Sequence, residues 1–263
     1  MRWIFRSFQL LFSALVLSAQ VNAPKVGFVR YADASVHAVF GLHNDYVVSR
    51  KALGSADAVS FSDSGGMIAS KGRIQLFGSD SKVIAEYDSG EIAPLLNIDG
   101  DLATAIAWLP SQQALLHWNG AAFVLTTFRG VPLSNVSSVR LTTANTARLL
   151  LVESGGAVAA ATVSLETGDL LSLNLLGGVA GPAVEQHSFL LFHDQYGLEI
   201  QAANGSMQTL PVKAADLRFE RMSSDWLHVS SASAGRDWAL HFNGTKVEFS
   251  ELPGAPSVLE AGK

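Results

Sequence analysis

Beyond residue 25, the apolar residues of the chain fall in runs of about five to seven, and many of these runs alternate with polar positions. Alternation with a period of two places successive side chains on opposite faces of a β-strand, whereas a helix needs a period near 3.6. Turn residues bound the runs, and no convincing amphipathic helical pattern interrupts them. The pattern therefore predicts an all-β chain.

Tight-turn signals separate pairs of these runs at regular intervals. Asn-Gly between two strands predicts a type I′ hairpin, because both central residues of that turn have φ > 0. Five turns lie at residues 78–81, 119–120, 166–169, 204–205 and 243–244. Their spacings of about 40, 48, 37 and 39 residues are close to the 40–45 expected for four-stranded propeller blades.

Upstream of these turns, further pairs of strand-like runs complete the repeat. Examples are "AVSFS" with "MIAS", "ATAIAW" with "ALLHW", "SSVRL" with "ARLLLVE", and "LRFERM" with "WLHVSS". A sixth turn, "ADAS" at 32–35, joins "VGFVRY" to "VHAVFGL". We interpret residues 26–42 as a partial unit of two outer strands, which a C-terminal segment such as 256–260 completes.

The repeat predicts a β-propeller, most simply one with six blades of four-stranded antiparallel sheets closed by both termini. A single four-stranded sheet leaves its edges and one face exposed, whereas radial stacking into a ring buries the faces between neighbours. A five-bladed ring, an irregular seven-bladed ring and a β-sandwich remain as alternatives.

Two segments also resemble known propeller repeats. "FSDSGGMIAS" (61–70) is similar to the opening of WD40-type blades, and "TVSLETGDLLS" (162–172) resembles the hairpin of YVTN-like and quinoprotein-type repeats. The resemblance to exported bacterial propeller proteins covers most of residues 25–253. The Gly-His and Trp-Asp dipeptides of WD40 repeats are missing, and Ser164 and Ser172 replace the usual Asp and Trp of the quinoprotein hairpin. The resemblance therefore implies hairpin geometry without a bound quinone.

The N-terminus has the order of a secretory signal peptide. Arg2 and Arg6 precede an apolar run at 10–17, which is too short to span a bilayer comfortably, and small residues follow. We expect a signal peptide over 1–23, cleaved after Ala23 or Ala19, and a single propeller domain over 24–263. The protein would then be exported to the periplasm or the extracellular space. An uncleaved membrane anchor or a buried N-terminal helix is the alternative.

The amino-acid composition excludes several classes of cofactor and partner. The chain has no cysteine, which excludes Fe–S clusters, zinc ribbons, thiol catalysis and covalently attached haem. Its net charge is −5, and its 18 Lys and Arg residues form no basic run. Nucleic acids and anionic membranes both need a concentrated basic face. We therefore expect no nucleic-acid partner. No segment after the N-terminus approaches about 18 uninterrupted apolar residues, so we expect no membrane span in the mature protein. We also expect a monomer.

No local sequence motif indicates a catalytic or metal-binding site. Zinc-protease, phosphate-loop, nucleophile-elbow and EF-hand patterns are all missing from the sequence. His187 and His193 would lie about 20 Å apart along one strand, too far to share a metal, so we predict separate surface or loop positions. His37 and His43 have the same spacing and receive the same interpretation. The "NIDGD" segment at 97–101 offers oxygen ligands but lacks the rest of a calcium loop, so we predict a plain turn.

The remaining candidates have ordinary structural explanations. We expect a half-buried position with a backbone partner for His117, His228 and His241, and core packing for Trp108, Trp118, Trp226 and Trp238. Asp63 lies in a turn without the Trp of a sialidase Asp-box. A sialidase would also need an arginine triad, and nothing local groups Arg73, Arg129, Arg140, Arg148, Arg218, Arg221 and Arg236.

The sequence therefore identifies no catalytic residue and predicts neither a cofactor nor a metal site. The interpretation it favours is a non-enzymatic binding or scaffold module, whose protein, small-molecule or glycan ligand stays open. A propeller-type glycan hydrolase or lyase, with paired carboxylates or clustered arginines at the channel mouth, is the alternative. A third possibility is docking onto a larger envelope complex.

The hairpin assignment is testable at Gly120. We expect Gly120→Val to lower the melting temperature, because a β-branched residue resists the positive φ that the turn requires. Thermal unfolding followed by circular dichroism measures the effect, and an unchanged melting temperature would contradict the assigned hairpin.

Overall fold

The computed structural model describes residues 23–42, 45–194, 196–214 and 216–256. These residues form six sheets of four strands each, and every paired neighbour is antiparallel. The sheets are the blades of a six-bladed β-propeller, so the predicted fold class is confirmed. The predicted signal peptide, His43 and nearly all of the segment 256–260 lie outside the described residues.

The strands follow one another blade by blade along the chain. The first blade holds β1 (Lys25–Arg30), β2 (Ser35–Leu42), β3 (Asp45–Val48) and β4 (Gly54–Ser55). The second holds β5 (Ala58–Ser62), β6 (Gly65–Ser70), β7 (Gly72–Gly78) and β8 (Val83–Glu91). The third holds β9 (Leu95–Asn97), β10 (Ile106–Leu109), β11 (Ala114–Trp118) and β12 (Phe123–Thr127), with a 3-10 turn at Leu102–Thr104.

The last three blades have the same order. The fourth holds β13 (Val136–Thr143), β14 (Thr146–Val152), β15 (Ala157–Ser164) and β16 (Leu170–Ala180). The fifth holds β17 (Ala183–Gln186), β18 (Phe189–His193), β19 (Leu198–Ala202) and β20 (Met207–Leu210). The sixth holds β21 (Leu217–Ser223), β22 (Trp226–Ser231), β23 (Arg236–Asn243) and β24 (Lys246–Glu251). Among the described residues, no helix is long and apolar enough to cross a membrane.

The five regular turns all join the third and fourth strands of blades two to six, as the spacing predicts. The predicted type I′ geometry is wrong, because positive φ occurs at the glycines but not at the asparagines before them. At the β19–β20 turn, Gly205 has φ 82° and Asn204 Oδ1 accepts a hydrogen bond from the Ser206 amide at 3.0 Å. An asparagine that bonds the backbone two residues ahead has no need of the left-handed region.

Interpreting residues 26–42 as two outer strands is also wrong. The "ADAS" turn joins β1 to β2, which are the first and second strands of their blade. Two short strands share the third strand position of this blade. β3 pairs with Val39–Leu42 of β2, and β4 pairs with Ser35 and Val36 of the same strand. The described chain from Lys25 to Ser55 thus supplies the whole first blade.

The first blade runs in the opposite direction to its neighbours. Residues 25–28 share a cleft with Asp63 and Met222, near the ends of β5 and β21. Arg30, at the other end of β1, lies with Val59 and Glu220 instead. β1 is therefore antiparallel to the first strands on both sides. A blade with three strand positions contains one chain reversal fewer than a blade with four. The inverted first blade therefore still ends on the side of the ring where β5 begins.

The ring closes between the first and sixth blades by side-chain packing. The seam contains Val29, Tyr31 and Tyr46 of the first blade against Met222 and Leu252 of the sixth. The Tyr31 hydroxyl donates to the Pro253 carbonyl at 2.7 Å, and the rings of Tyr46 and Trp226 meet edge to face at 5.9 Å. No strand of either described blade is exchanged with the other.

Gly27 tests this closure. A Cβ at Gly27 would overlap the Met222 backbone across the seam, so we expect Gly27→Ala to lower the free energy of unfolding by about 1–3 kcal/mol. Urea denaturation measures the change. Gly155→Ala is the matched control, because no atom lies within 4 Å of its Cβ position and its φ is not positive. Equal stability of the two variants would contradict the tight seam.

Candidate functional site at the centre of the ring

The first strands and their flanking residues from all six blades surround a central cavity of about 130 Å³. The cavity is small because β21 packs directly against β5 as well as against β1. Its charged lining consists of Arg30, Asp57, Glu185, Arg218, Glu220 and Arg221. Successive residues of a strand point to opposite faces, so Glu220 and Arg221 of β21 reach opposite sides of the centre.

Glu220 is held on the seam side. Arg30 approaches one of its oxygens, Oε1, through both Nε at 2.9 Å and Nη2 at 2.8 Å, and both side chains are buried. His228, whose residue is 1 % exposed, bonds Asp237 through Nε2 at 2.8 Å and places Nδ1 3.9 Å from Glu220 Oε2. Burial by itself lowers the pKa of His228, but the hydrogen bonds and charges of Asp237 and Glu220 outweigh it and raise the pKa above 6.5.

Arg221 reaches the third blade on the other side. Its Nε donates to Asn97 Oδ1 at 2.7 Å, and its Nη1 lies 3.2 Å from Asp99 Oδ1. The side chain is 4 % exposed. Burial lowers the pKa of this guanidinium, Asp99 opposes that effect and the charge of Arg140 adds to it. Arg221 Nη2 and Asn97 Nδ2 are buried without a hydrogen-bond partner among the described residues.

Glu185 joins the fourth and fifth blades. Its carboxylate lies 2.9 Å from Arg140 Nε and 2.8 Å from Arg148 Nε, so one carboxylate neutralises two arginines of the fourth blade. Two positive charges therefore face a single carboxylate on this side of the cavity.

A larger pocket of about 640 Å³ opens at the seam and shares Arg30 and Arg218 with the central cavity. Asp216 lies at its edge and accepts hydrogen bonds from the hydroxyls of Ser231 and Ser233, each at 2.6 Å. These hydroxyl donors hold the pKa of Asp216 well below its usual range. Tyr31 also lines this pocket, and burial raises its pKa.

The structure overturns three predictions about histidines. His241 is half-buried as predicted, but its Nδ1 lies 3.2 Å from the Glu248 carboxylate instead of against a backbone group. His228 is fully buried and pairs with carboxylates, so the prediction of a half-buried side chain with a backbone partner is wrong. His37 is buried as well, between Ser49 O at 2.7 Å and Ser35 Oγ at 3.0 Å, and does not lie on the surface. His187 lies in the loop before β18, 3.4 Å from Asp225, whereas His193 ends that strand. No group of three potential metal ligands occurs in the described part of the chain.

Other local predictions are confirmed. Trp108, Trp118 and Trp238 are core residues, and Trp226 packs partly buried against Tyr46. The 97–101 segment is a turn, although Asn97 and Asp99 bind Arg221, a contact that no local motif predicts. Arg218 and Arg221 line the central cavity, and Arg140 and Arg148 meet at Glu185 beside it, a grouping of arginines from two blades that sequence reasoning missed. Their positions on the first and second strands of a blade indicate a shared site only once it is known which strand of its blade each segment forms.

Comparisons with known proteins identify no family for this chain. No family model matches the chain, and no curated protein matches its sequence. Hydrazine synthase of Kuenenia stuttgartiensis is 11 % identical, with a TM-score of 0.45 over 86 % of this chain and 79 % of that one. BamB from Moraxella catarrhalis is 12 % identical, with a TM-score of 0.40 over 89 % and 92 %.

A third similar structure is PorZ, described as a bacterial surface component of the type-IX secretion system of Porphyromonas gingivalis. It is 11 % identical, with a TM-score of 0.46 over 89 % of this chain and 38 % of that one.

The seam histidine makes stability depend on pH. Because the folded-state pKa of His228 is raised above 6.5, its protonation stabilises the fold fully below that pH, and the contribution is lost as pH rises through the folded pKa. We expect His228→Gln to cost roughly 1.5–3 kcal/mol at pH 6, where the variant removes a charged hydrogen bond to Asp237, and less at pH 9. Urea denaturation at both pH values measures this, with His193→Gln as control. Parallel pH profiles for wild type and His228→Gln would contradict the assignment.

Proposed function

We propose that this chain is an exported bacterial propeller of the YVTN-like kind that acts in the periplasm or outside the cell as a non-enzymatic scaffold. It binds an extended segment of a partner protein along the outer edge of its fourth blade. The basic, apolar and small-residue order of residues 1–23 supports export. The single observation that carries the binding role is the character of β16.

β16 is the longest strand of the described chain and an outer one. It spans Leu170–Ala180, carries no charged side chain, and within its sheet pairs with β15 alone. Leu171, Leu173 and Leu175 are 56 %, 53 % and 67 % exposed. A long, uncharged and apolar edge presents unpaired backbone groups that readily accept another strand.

Two other outer strands are protected in the usual way. β8 carries Glu86 and Asp88, which pair with Arg73, and β24 carries Lys246, Glu248 and Glu251. Charged side chains on an edge strand discourage pairing with other chains. The outer strands β12 and β20 also lack charged side chains, but they are only five and four residues long, whereas β16 has eleven. Length together with exposed leucines therefore distinguishes β16 as a docking edge.

The geometry of β16 suits an added strand. Leu173 and Leu175 face the same side of the sheet, opposite Ala161 and Ala159 of β15. The small alanines lie inside the blade, whereas the leucines project at its rim. A partner strand that pairs with the free backbone edge would place its alternate apolar side chains beside these leucines. Burial of exposed leucines would then supply most of the binding free energy.

The state of the central carboxylates supports the non-enzymatic role. Glu185 and Glu220, two of the three carboxylates that line the central cavity, each pair with arginine, and Asp216 of the seam pocket is held by two hydroxyls. None of these three is therefore placed as a free general acid or base. The central cavity of about 130 Å³ is also below the usual 300–1,000 Å³ of small-molecule sites. A glycan hydrolase or lyase is the second candidate, favoured by the 640 Å³ seam pocket and its arginines.

Site-specific crosslinking tests the scaffold proposal. Ser172 is replaced by a photo-crosslinking residue in the full-length protein, which is expressed in its native bacterial host. Irradiation should then give a discrete adduct in the exported fraction. We expect the combined substitutions Leu173→Lys and Leu175→Lys to abolish that adduct, because charges on the edge prevent strand addition.

Ile92→Lys is the matched control, since Ile92 is 80 % exposed but lies outside β16. An adduct that survives the paired lysines, or no adduct at all, would contradict β16 as the docking edge. Turnover of a glycan by the purified protein, lost on Arg218→Gln, would favour the enzymatic alternative.

A further inference from the structure

The central cavity holds two unsatisfied donors side by side, independently of the docking edge on the fourth blade. Arg221 Nε and Asn97 Oδ1 are hydrogen-bonded, which fixes the orientation of the amide and leaves Nδ2 as the free donor of Asn97. Arg221 Nη2 has no partner either, and both side chains are more than nine-tenths buried. Buried donors that lack an acceptor are costly, and a buried cation more so.

The charges around these donors leave an excess of guanidinium groups. Arg30 is neutralised by Glu220, and Glu185 serves both Arg140 and Arg148. Arg218 is exposed, lines the same cavity and has no ion-pair partner among the described residues. Arg221 contacts Asp99 through only one of its nitrogens, Nη1. Asp57 also lines the cavity, so the five arginines Arg30, Arg140, Arg148, Arg218 and Arg221 face the four carboxylates of Asp57, Asp99, Glu185 and Glu220, and one positive charge is in excess.

From this arrangement we propose that the central cavity binds a small oxyanion, a carboxylate or phosphate group, at the free donors of Arg221 and Asn97, with the exposed Arg218 as a second cation at the rim of the same cavity. Arginine donates two parallel hydrogen bonds to the oxygens of such a group, which makes it the preferred residue for carboxylate and phosphate recognition. The cavity volume of about 130 Å³ is sufficient for a group of the size of acetate or inorganic phosphate.

Access to the site is through the seam pocket. Arg30 and Arg218 line both cavities, so they stand at the boundary between the 640 Å³ pocket and the centre. A cation at such a boundary raises the local concentration of anions. The deeper donors of Arg221 and Asn97 then select groups with two or more oxygens over a spherical anion such as chloride.

Thermal-shift titration of the exported, folded protein tests the site. Inorganic phosphate and sodium acetate are titrated separately against sodium chloride at matched ionic strength, because binding to the folded state alone raises the melting temperature. We expect at least one of the two oxyanions to raise it in a saturable way while chloride does not. A response to phosphate alone identifies a phosphate site, and a response to acetate identifies a carboxylate site.

Two variants locate the response. Asn97→Asp places a carboxylate beside Arg221 and satisfies it internally, and Arg218→Gln removes the exposed arginine without disturbing the core. Loss of one charged hydrogen bond predicts at least about tenfold weaker binding for Asn97→Asp. Arg218→Gln removes the cation at the rim of the cavity, so we expect weaker binding for this variant as well, and the largest difference from wild type at low salt. Arg236→Gln is the control, since Arg236 lines the seam pocket but not the central cavity.

The outcomes separate clearly. Weakened binding in Asn97→Asp and Arg218→Gln, with wild-type affinity in Arg236→Gln, supports the site. A response equal in all four proteins, or no saturable response to either oxyanion, overturns it. Because β16 is untouched in every variant, crosslinking at Ser172 reports the fate of the scaffold proposal separately.

Discussion

The structure depends on how a ring of sheets closes when its first and last blades share no strand. Each described blade is complete within its own stretch of chain, so hydrogen bonds between strands do not lock the ring. Packing of Tyr31, Tyr46 and Val29 against Met222 and Leu252 performs that task, with the ion pair of Arg30 and Glu220 beside it. Removing one partner of such a buried pair is strongly destabilising, so the seam tolerates little variation.

The inverted first blade follows from the same constraint and shapes the centre. With β1 antiparallel to β5 and β21, its end carries Arg30 to the face where the other first strands begin. That face collects charged side chains from the surrounding blades, and β21 approaches β5 closely enough to leave a cavity of about 130 Å³. The centre is therefore a network of buried ion pairs in which the donors Arg221 Nη2 and Asn97 Nδ2, and the acceptor Glu220 Oε2, have no hydrogen-bond partner among the described residues.

Sequence reasoning succeeded where the signal was local and repeated. The spacing of tight turns such as 119–120 and 243–244 depends on chain reversals within one blade, and it predicted six blades correctly. It failed at residues 26–42, because a hairpin between first and second strands has the same local pattern as one between outer strands. It also missed the pairing of Arg221 with Asn97, which lies 124 residues away in sequence and requires knowledge of the ring.

The central claim is that the first blade is inverted and closes the ring through its side chains, and distances between spin labels test it most directly. The described chain contains no cysteine, so labels can be placed at Lys25, Asp33 and Asp63 without competing thiols. Residues 25 and 33 are separated by roughly eight residues at about 3.3 Å each along an extended path, which makes the two distances to Asp63 distinguishable. The inverted blade predicts that Lys25 lies closer to Asp63 than Asp33 does. The reverse order would show a first blade parallel to its neighbours and would contradict this account.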